Sequence, residues 1–294
     1  MKLVRHGAHG AEKPGLIDGR GSVRDLSGVL RDIAGPGLSR ECLDRLRMID
    51  PATLPEVAPG TRLGPCVGGT RHFIAVGLNY ADHAAETGSP IPPEPIIFNK
   101  APSCIAGAND RVFLPKGSSK VDWEVELAVV IGTHASYVHA NEALKYVAGA
   151  CICNDVSERA YQLERGGTWM KGKGCPTFGP VGPWLVTLDE IPDLGRLGMS
   201  LDVNGQRMQS DSTATMIFDV AQIVAYVSHF MILEPGDIIT TGTPPGVGLG
   251  MKPPRYLKAG DEMVVRIEGL GEQRQSVEAF DDWTAKVAAG QPTN

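Results

Sequence analysis

The run Asp122-Trp123-Glu124-Val125-Glu126-Leu127-Ala128-Val129-Val130-Ile131 decides how this chain is read. Its β-branched and apolar residues, free of glycine and proline, predict a strand over Trp123–Ile131. Side chains two apart share a face, so Val125, Leu127, Val129 and Ile131 make a core face. Glu124 and Glu126 fall together on the other face, about 7 Å apart along the backbone. That second face continues as Ala128 and Val130, so two carboxylates open an otherwise apolar row. Anions this close repel unless a cation or protons compensate. Two readings stay open here: an edge strand with its glutamates in water, or a site for a hard metal ion.

A third carboxylate bears on that choice. Asp155 ends the apolar run Val147–Cys153, where a strand predicted over Val147–Val156 gives way to the polar, helix-like segment Ser157–Arg165. Three carboxylates with no His or Cys ligand nearby fit Mg²⁺, with Mn²⁺ or Ca²⁺ as substitutes, rather than Zn²⁺. Upstream, Gly77-Leu78-Asn79-Tyr80-Ala81-Asp82-His83-Ala84-Ala85-Glu86 follows a predicted strand, His72–Val76. One helical turn would bring His83 and Glu86 together. A glutamate beside an imidazole raises its basicity and fixes its orientation, as a general base for water requires; an ordinary surface pair is the plainer alternative.

Gly167 to Lys173 matches G-x-x-x-x-G-K, but Gly174 follows where a phosphate loop needs Ser or Thr, and Trp169 sits inside the would-be cradle. Lys173 therefore reads as a lone ammonium presented to a ligand. Thr240-Thr241-Gly242-Thr243-Pro244-Pro245-Gly246-Val247-Gly248 offers hydroxyls and backbone amides at a turn, suited to a carboxylate or to a tight turn alone.

The 294 residues include 36 glycines and 22 prolines, which helix interiors tolerate poorly, so an α+β, sheet-dominated fold is expected. With 28 Lys+Arg against 34 Asp+Glu and no basic stripe, nucleic acid is an unsuitable partner. No run of eighteen apolar residues exists, which argues against a membrane span. The N-terminus turns polar before a signal-peptide core forms, and six cysteines without a CxxC pair suit a cytoplasmic protein with reduced thiols. Residues 1–65 read as a small N-terminal domain, with short strands and a helix capped by Ser39. Residues 66–294 form the larger unit, its last dozen residues a frayed tail. Asn204-Gly205 marks a hairpin, and Val220, Ile223, Val224, Val227 and Phe230 form the apolar stripe of a helix over Asp219–Met231.

The ordered set G-x-N-Y-x-x-H-x-x-E (Gly77 to Glu86), E-x-E (Glu124, Glu126), N-D-x-S-x-R-x-x-Q (Asn154 to Gln162), W-x-x-G-K (Trp169 to Lys173) and T-G-T-P-x-G-V-G (Thr241 to Gly248) resembles the fumarylacetoacetate hydrolase family over roughly residues 70–280. The resemblance implies a mixed β-sandwich roll behind a small N-terminal α/β domain, and a homodimer. It implies that Glu124, Glu126 and Asp155 bind Mg²⁺ or Mn²⁺, and that His83 and Glu86 activate water from a lid that orders with substrate. Lys173 would stabilise an enolate, Arg159 and Gln162 would line the site, and Thr243 would hold the substrate carboxylate. Where many members have S-F-D-T-F after the lysine, this chain has Gly174-Cys175-Pro176-Thr177-Phe178. The Ser157 to Gly167 segment resembles a branch labelled ureidoglycolate lyase or 2,4-diketo-3-deoxy sugar-acid hydrolase. The implied activity is hydrolytic C–C cleavage of a 2,4-dioxo acid, either an acylpyruvate or such a sugar acid, to pyruvate or a related keto acid. Decarboxylase, hydratase, isomerase and lyase activities draw on the same enolate chemistry. A non-catalytic acid-binding module would have no use for His83, Glu86 and Lys173 together.

Overall fold

The strand that opens the sequence reading is the inner strand of a large mixed sheet. In the computed structural model, which describes residues 1–281, it runs Val125–Ile131 with every residue buried. It pairs antiparallel with Val147–Asn154 on one side and with Ile238–Thr240 on the other. Burial on both faces explains the near-continuous apolar run. The sheet has ten strands. From one edge these are Val23–Asp25, Lys13–Ile17, Lys2–His6, Gly179–Thr187, Val147–Asn154, Val125–Ile131, Ile238–Thr240, Phe73–Gly77 and Ile96–Lys100, with Ile105–Gly107 added beside Gly179–Thr187.

A second sheet of five strands orders as Gln206–Ser212, Gly198–Val203, Glu262–Ile267, Gly271–Glu278 and Val112–Phe113. It packs on the first, and the core between them includes Leu127, Ile152, Leu201 and Val265. This is the sheet-dominated mixed architecture expected. Asn204 and Gly205 both take positive φ, 52° and 76°, as a two-residue hairpin of this hand requires.

Two expectations change in detail. The helix predicted over Asp219–Met231 spans Val220–Ser228, capped by Asp219 and Gln222 in a reciprocal box. It stops at Ser228 because its end is used elsewhere: the Ser228 carbonyl accepts from Tyr137 N at 2.9 Å and its hydroxyl from Val138 N at 2.9 Å. Phe230 thus lies past the helix, 61% exposed, instead of in its buried stripe. The strands of residues 1–65 also continue the main sheet, Lys2 standing opposite Val186 and Leu3 opposite Leu185. Arg62 bridges the expected boundary through ion pairs to Glu12 and Asp110. The expected frayed tail lies outside the described residues. No described helix is long and apolar enough to cross a membrane, and all six cysteines are free.

Gly149, in the strand beside the central one, has no space for a side chain. A Cβ there would stand 2.2 Å from the Val186 carbonyl oxygen across the sheet. Gly149→Ala is expected to cost about 1–3 kcal/mol as the strands are forced apart, read as a lower urea midpoint. An unchanged midpoint would contradict this close approach.

Candidate active site

Strand pairing assembles the carboxylates. Glu126 faces Cys153 in the ladder, and past the end of that neighbouring strand Asp155 N donates to the Glu124 carbonyl at 2.9 Å. Glu124, Glu126 and Asp155 therefore converge, one oxygen of each lying within 4.8 Å of the others, all buried. Three cations answer them. Lys173 Nζ donates to Glu124 Oε2 at 2.5 Å and to Asp155 Oδ2 at 2.7 Å. Lys100 Nζ donates to Asp155 Oδ1 and to the Lys173 carbonyl, both at 2.5 Å. Arg159 donates from Nη2 to Glu124 Oε1 at 2.7 Å and from Nε to Asp122 Oδ2 at 2.8 Å.

The count does not balance. Asp122, Glu124, Glu126 and Asp155 are four anions, while Lys100, Arg159 and Lys173 are three cations, leaving one negative charge over. That charge falls on Glu126. Among the described residues no cation pairs with it, and Gly242 N donates to it at 3.0 Å. Burial, and then the charges of Asp155 and Glu124, hold its carboxyl well above the usual carboxylate range. Burial alone would raise Glu124 too, but Lys173 and Arg159 outweigh it and bring that carboxyl down to about 2. One buried carboxylate short of a counter-charge, beside two others, fits a divalent cation of the oxygen-seeking kind.

His83 stands above this cluster on the Ala81–Glu86 helix, buried, with Nδ1 2.8 Å from Glu86 Oε1. The segment holding them is anchored, although few of its residues are apolar. Both Glu86 oxygens accept from Gly246 N, at 2.9 and 3.1 Å. Asn79, in the turn that leads into the helix, donates to the carbonyls of Thr241 and Phe218. A proton held at Nδ1 by Glu86 leaves the lone pair on Nε2.

Eight of the nine residues singled out in the sequence line one cavity of about 220 Å³: His83, Glu124, Glu126, Asp155, Arg159, Gln162, Lys173 and Thr243. Glu86 sits behind His83. Two of the expected roles are altered by what the side chains touch. Lys173 is no lone ammonium but a buried one shared by two carboxylates. The Thr243 hydroxyl donates to the Val125 carbonyl at 2.9 Å and accepts from Gln209 at 2.8 Å, so its proton is committed to the backbone and not to a substrate carboxylate.

Two participants escaped the sequence reading. Lys100 ends an edge strand and carries no local signal, because its partner Asp155 lies 55 residues away. Asp122 had one: it is a charged residue just ahead of the apolar run that becomes the central strand. Its carboxylate accepts from Gly248 N at 2.7 Å and Leu249 N at 3.0 Å as well as from Arg159, so it ties the loop behind Glu86 to the triad.

A family model described as fumarylacetoacetate (FAA) hydrolase C-terminal matches residues 72–278, which include all of these positions. The chain belongs to the fumarylacetoacetate hydrolase family. A Burkholderia ambifaria protein is 60% identical over 277 residues, 94% of this chain and 98% of its own length. The solved 2-hydroxyhepta-2,4-diene-1,7-dioate isomerase of Mycobacterium marinum is 31% identical, covers 95% of this chain and 99% of its own, and superposes with a TM-score of 0.73. The maleylpyruvate hydrolase of Sphingobium sp. SYK-6, solved with manganese(II) and pyruvate, is 27% identical over 95% of this chain and 99% of its own, with a TM-score of 0.79.

The Asp122 brace makes a prediction. Asp122→Asn keeps the shape but turns an NH₂ toward either Arg159 or the Gly248 and Leu249 amides. A loss of about 10–100-fold in kcat/KM is expected with the fold intact, as for other supports of ligating side chains. Wild-type kcat/KM in a variant of unchanged circular dichroism would remove Asp122 from the site.

Proposed function

We propose that this family member is a divalent-metal-dependent hydrolase that cleaves the C3–C4 bond of a 2,4-dioxo acid, releasing pyruvate or a related 2-oxo acid and a second carboxylic acid. One observation carries the reading: the oriented His83–Glu86 pair faces the same cavity as a carboxylate triad short of one positive charge. Glu124, Glu126 and Asp155 would hold Mg²⁺ or Mn²⁺. Bound there, the ion supplies Lewis acidity and a template for the 2-oxo acid end. The manganese and pyruvate of the Sphingobium hydrolase support this for a relative of the same fold.

The chain's own residues account for the rest. His83 takes a proton from water at Nε2, and Glu86 stabilises the imidazolium through Nδ1. The water oxygen adds to C4. When the C3–C4 bond breaks its electron pair moves toward C3 and the 2-oxo oxygen, and C4 departs as a carboxylic acid. The Lys173 ammonium, fixed at the polar end of the cavity, is the donor for the oxygen that gains charge. Proton return to C3 completes pyruvate. Gln162 accepts from Arg159 Nη1 at 3.1 Å, which aims its amide nitrogen away from that bond as a donor to substrate.

The isomerase of similar fold marks the competing reading, in which the base acts on carbon. His83→Ala separates them. If His83 serves water, the variant loses pyruvate release by about 10²–10⁴-fold, while deuterium exchange at C3 of the substrate survives. Equal loss of both would make His83 a base for carbon and favour isomerisation. Pyruvate release from acylpyruvates, assayed with and without EDTA, tests the reaction itself: turnover that EDTA leaves intact would end the metal-dependent reading.

The triad is tested apart from turnover. Glu126→Ala removes the carboxylate that has no cation, so the variant is expected to fold at least as stably while losing calorimetric Mg²⁺ or Mn²⁺ binding. Wild-type affinity in that variant would move the metal elsewhere.

A further inference from the structure

The cavity has two ends of opposite character. The triad, His83 and Lys173 make one; Phe98, Trp169 and the neighbouring Leu78 make the other, with Leu163 and Leu249 also in the lining. Phe98 joins them, its ring centroid 5.4 Å from Lys173 Nζ and 5.1 Å from the Trp169 ring, edge to face at 70°. Trp169 closes over Gly77, where a Cβ would come within 2.3 Å of the indole. Leu78 reaches the wall from a left-handed backbone with φ of 54°, a conformation large side chains seldom adopt. Leu163 remains 49% exposed at the mouth.

Charge is missing from this second end. Arg159 and Lys173, the two strong cations of the lining, are held at the first end by Asp122, Glu124 and Asp155. The nearest others on the same segment do not reach in: Arg165 lies over the Tyr161 ring, and Lys171 Nζ donates to the Arg165 carbonyl. The Thr87 hydroxyl donates to the His83 carbonyl at 3.0 Å.

We infer that the substrate beyond C4 is an uncharged apolar group, alkyl or aromatic, and not a second carboxylate. The inference rests on the 2,4-dioxo acid reading for where C4 lies. A second carboxylate would be desolvated among Leu78, Phe98 and Trp169 with no counter-charge. A flat or aliphatic tail gains by the same burial and meets two aromatic faces.

The test uses the full chain loaded with Mn²⁺ and two 2-oxo acids that lack the 4-oxo group, phenylpyruvate and 2-oxoglutarate, titrated by calorimetry. Phenylpyruvate is expected to bind more tightly by about tenfold or more, and Leu163→Arg, at its half-exposed position, to narrow that gap by strengthening 2-oxoglutarate. Equal or tighter binding of 2-oxoglutarate by the wild type overturns the inference. So does a Leu163→Arg variant in which both affinities stay unchanged. Hydrolysis of benzoylpyruvate and succinylpyruvate is followed in parallel. If phenylpyruvate prevails and neither dioxo acid is cleaved, the apolar tail stands and the hydrolase reading falls. If both are cleaved and succinylpyruvate is preferred, the reverse holds. Binding of neither 2-oxo acid overturns both.

Discussion

Glu126 is the constraint around which the rest is arranged. A buried carboxylate without a partner cation is costly, and folding around it requires that its neighbours be fully satisfied. They are. Asp122 accepts three backbone amides and a guanidinium, Asp155 holds two ammonium groups, and Glu124 holds one ammonium and one guanidinium. The cations are themselves tethered. Lys100 donates to the carbonyl of Lys173 as well as to Asp155, so one lysine fixes the backbone of the other. The unmet charge is thereby concentrated on a single oxygen pair facing the cavity.

The His83–Glu86 pair and the triad share a support. The loop from Gly246 to Gly250 gives the Gly246 amide to Glu86 and the Gly248 and Leu249 amides to Asp122, while Trp123 Nε1 donates to the Gly246 carbonyl at 3.1 Å. A displacement of that loop would move His83, through Glu86, and Arg159, through Asp122, at once. Gly248 in that loop has no room for a side chain: a Cβ there would meet the Arg255 carbonyl at 1.9 Å. Precision of this kind suits a site whose base and charge cluster must meet one small substrate.

Much of this could be read from the sequence because strand periodicity is a local code. Glu124 and Glu126 share a face by counting, and Asp155 was found because polar residues ending an apolar run are conspicuous. His83 and Glu86 were legible from a spacing of three. What stayed hidden is what pairs across distance. Lys100 carries no local mark in the sequence, and only the fold brings it to Asp155. Lys173 was found but misread as unencumbered, since nothing local shows that it lands between two carboxylates. Thr243 was found for its hydroxyl, which the central strand's carbonyl then claims. Residues 1–65 were legible as strands, but their edge-pairing with Gly179–Thr187 depends on a register no local pattern encodes.

Fold and ligand are therefore linked through charge. Any cation that binds the triad in the folded state and not in the unfolded chain stabilises the fold by mass action. Here the gain is set against the proton that Glu126 must give up, because burial beside Asp155 and Glu124 holds its carboxyl well above the usual carboxylate range. A protein selected for stability alone would neutralise this position, and an amide in place of the carboxylate would suffice. Retaining an ionisable carboxyl there leaves a position that either a proton or a cation can satisfy, while the aromatic end of the same cavity has none. The two ends thus make separate demands on whatever enters, one of charge and the other of shape and apolar area.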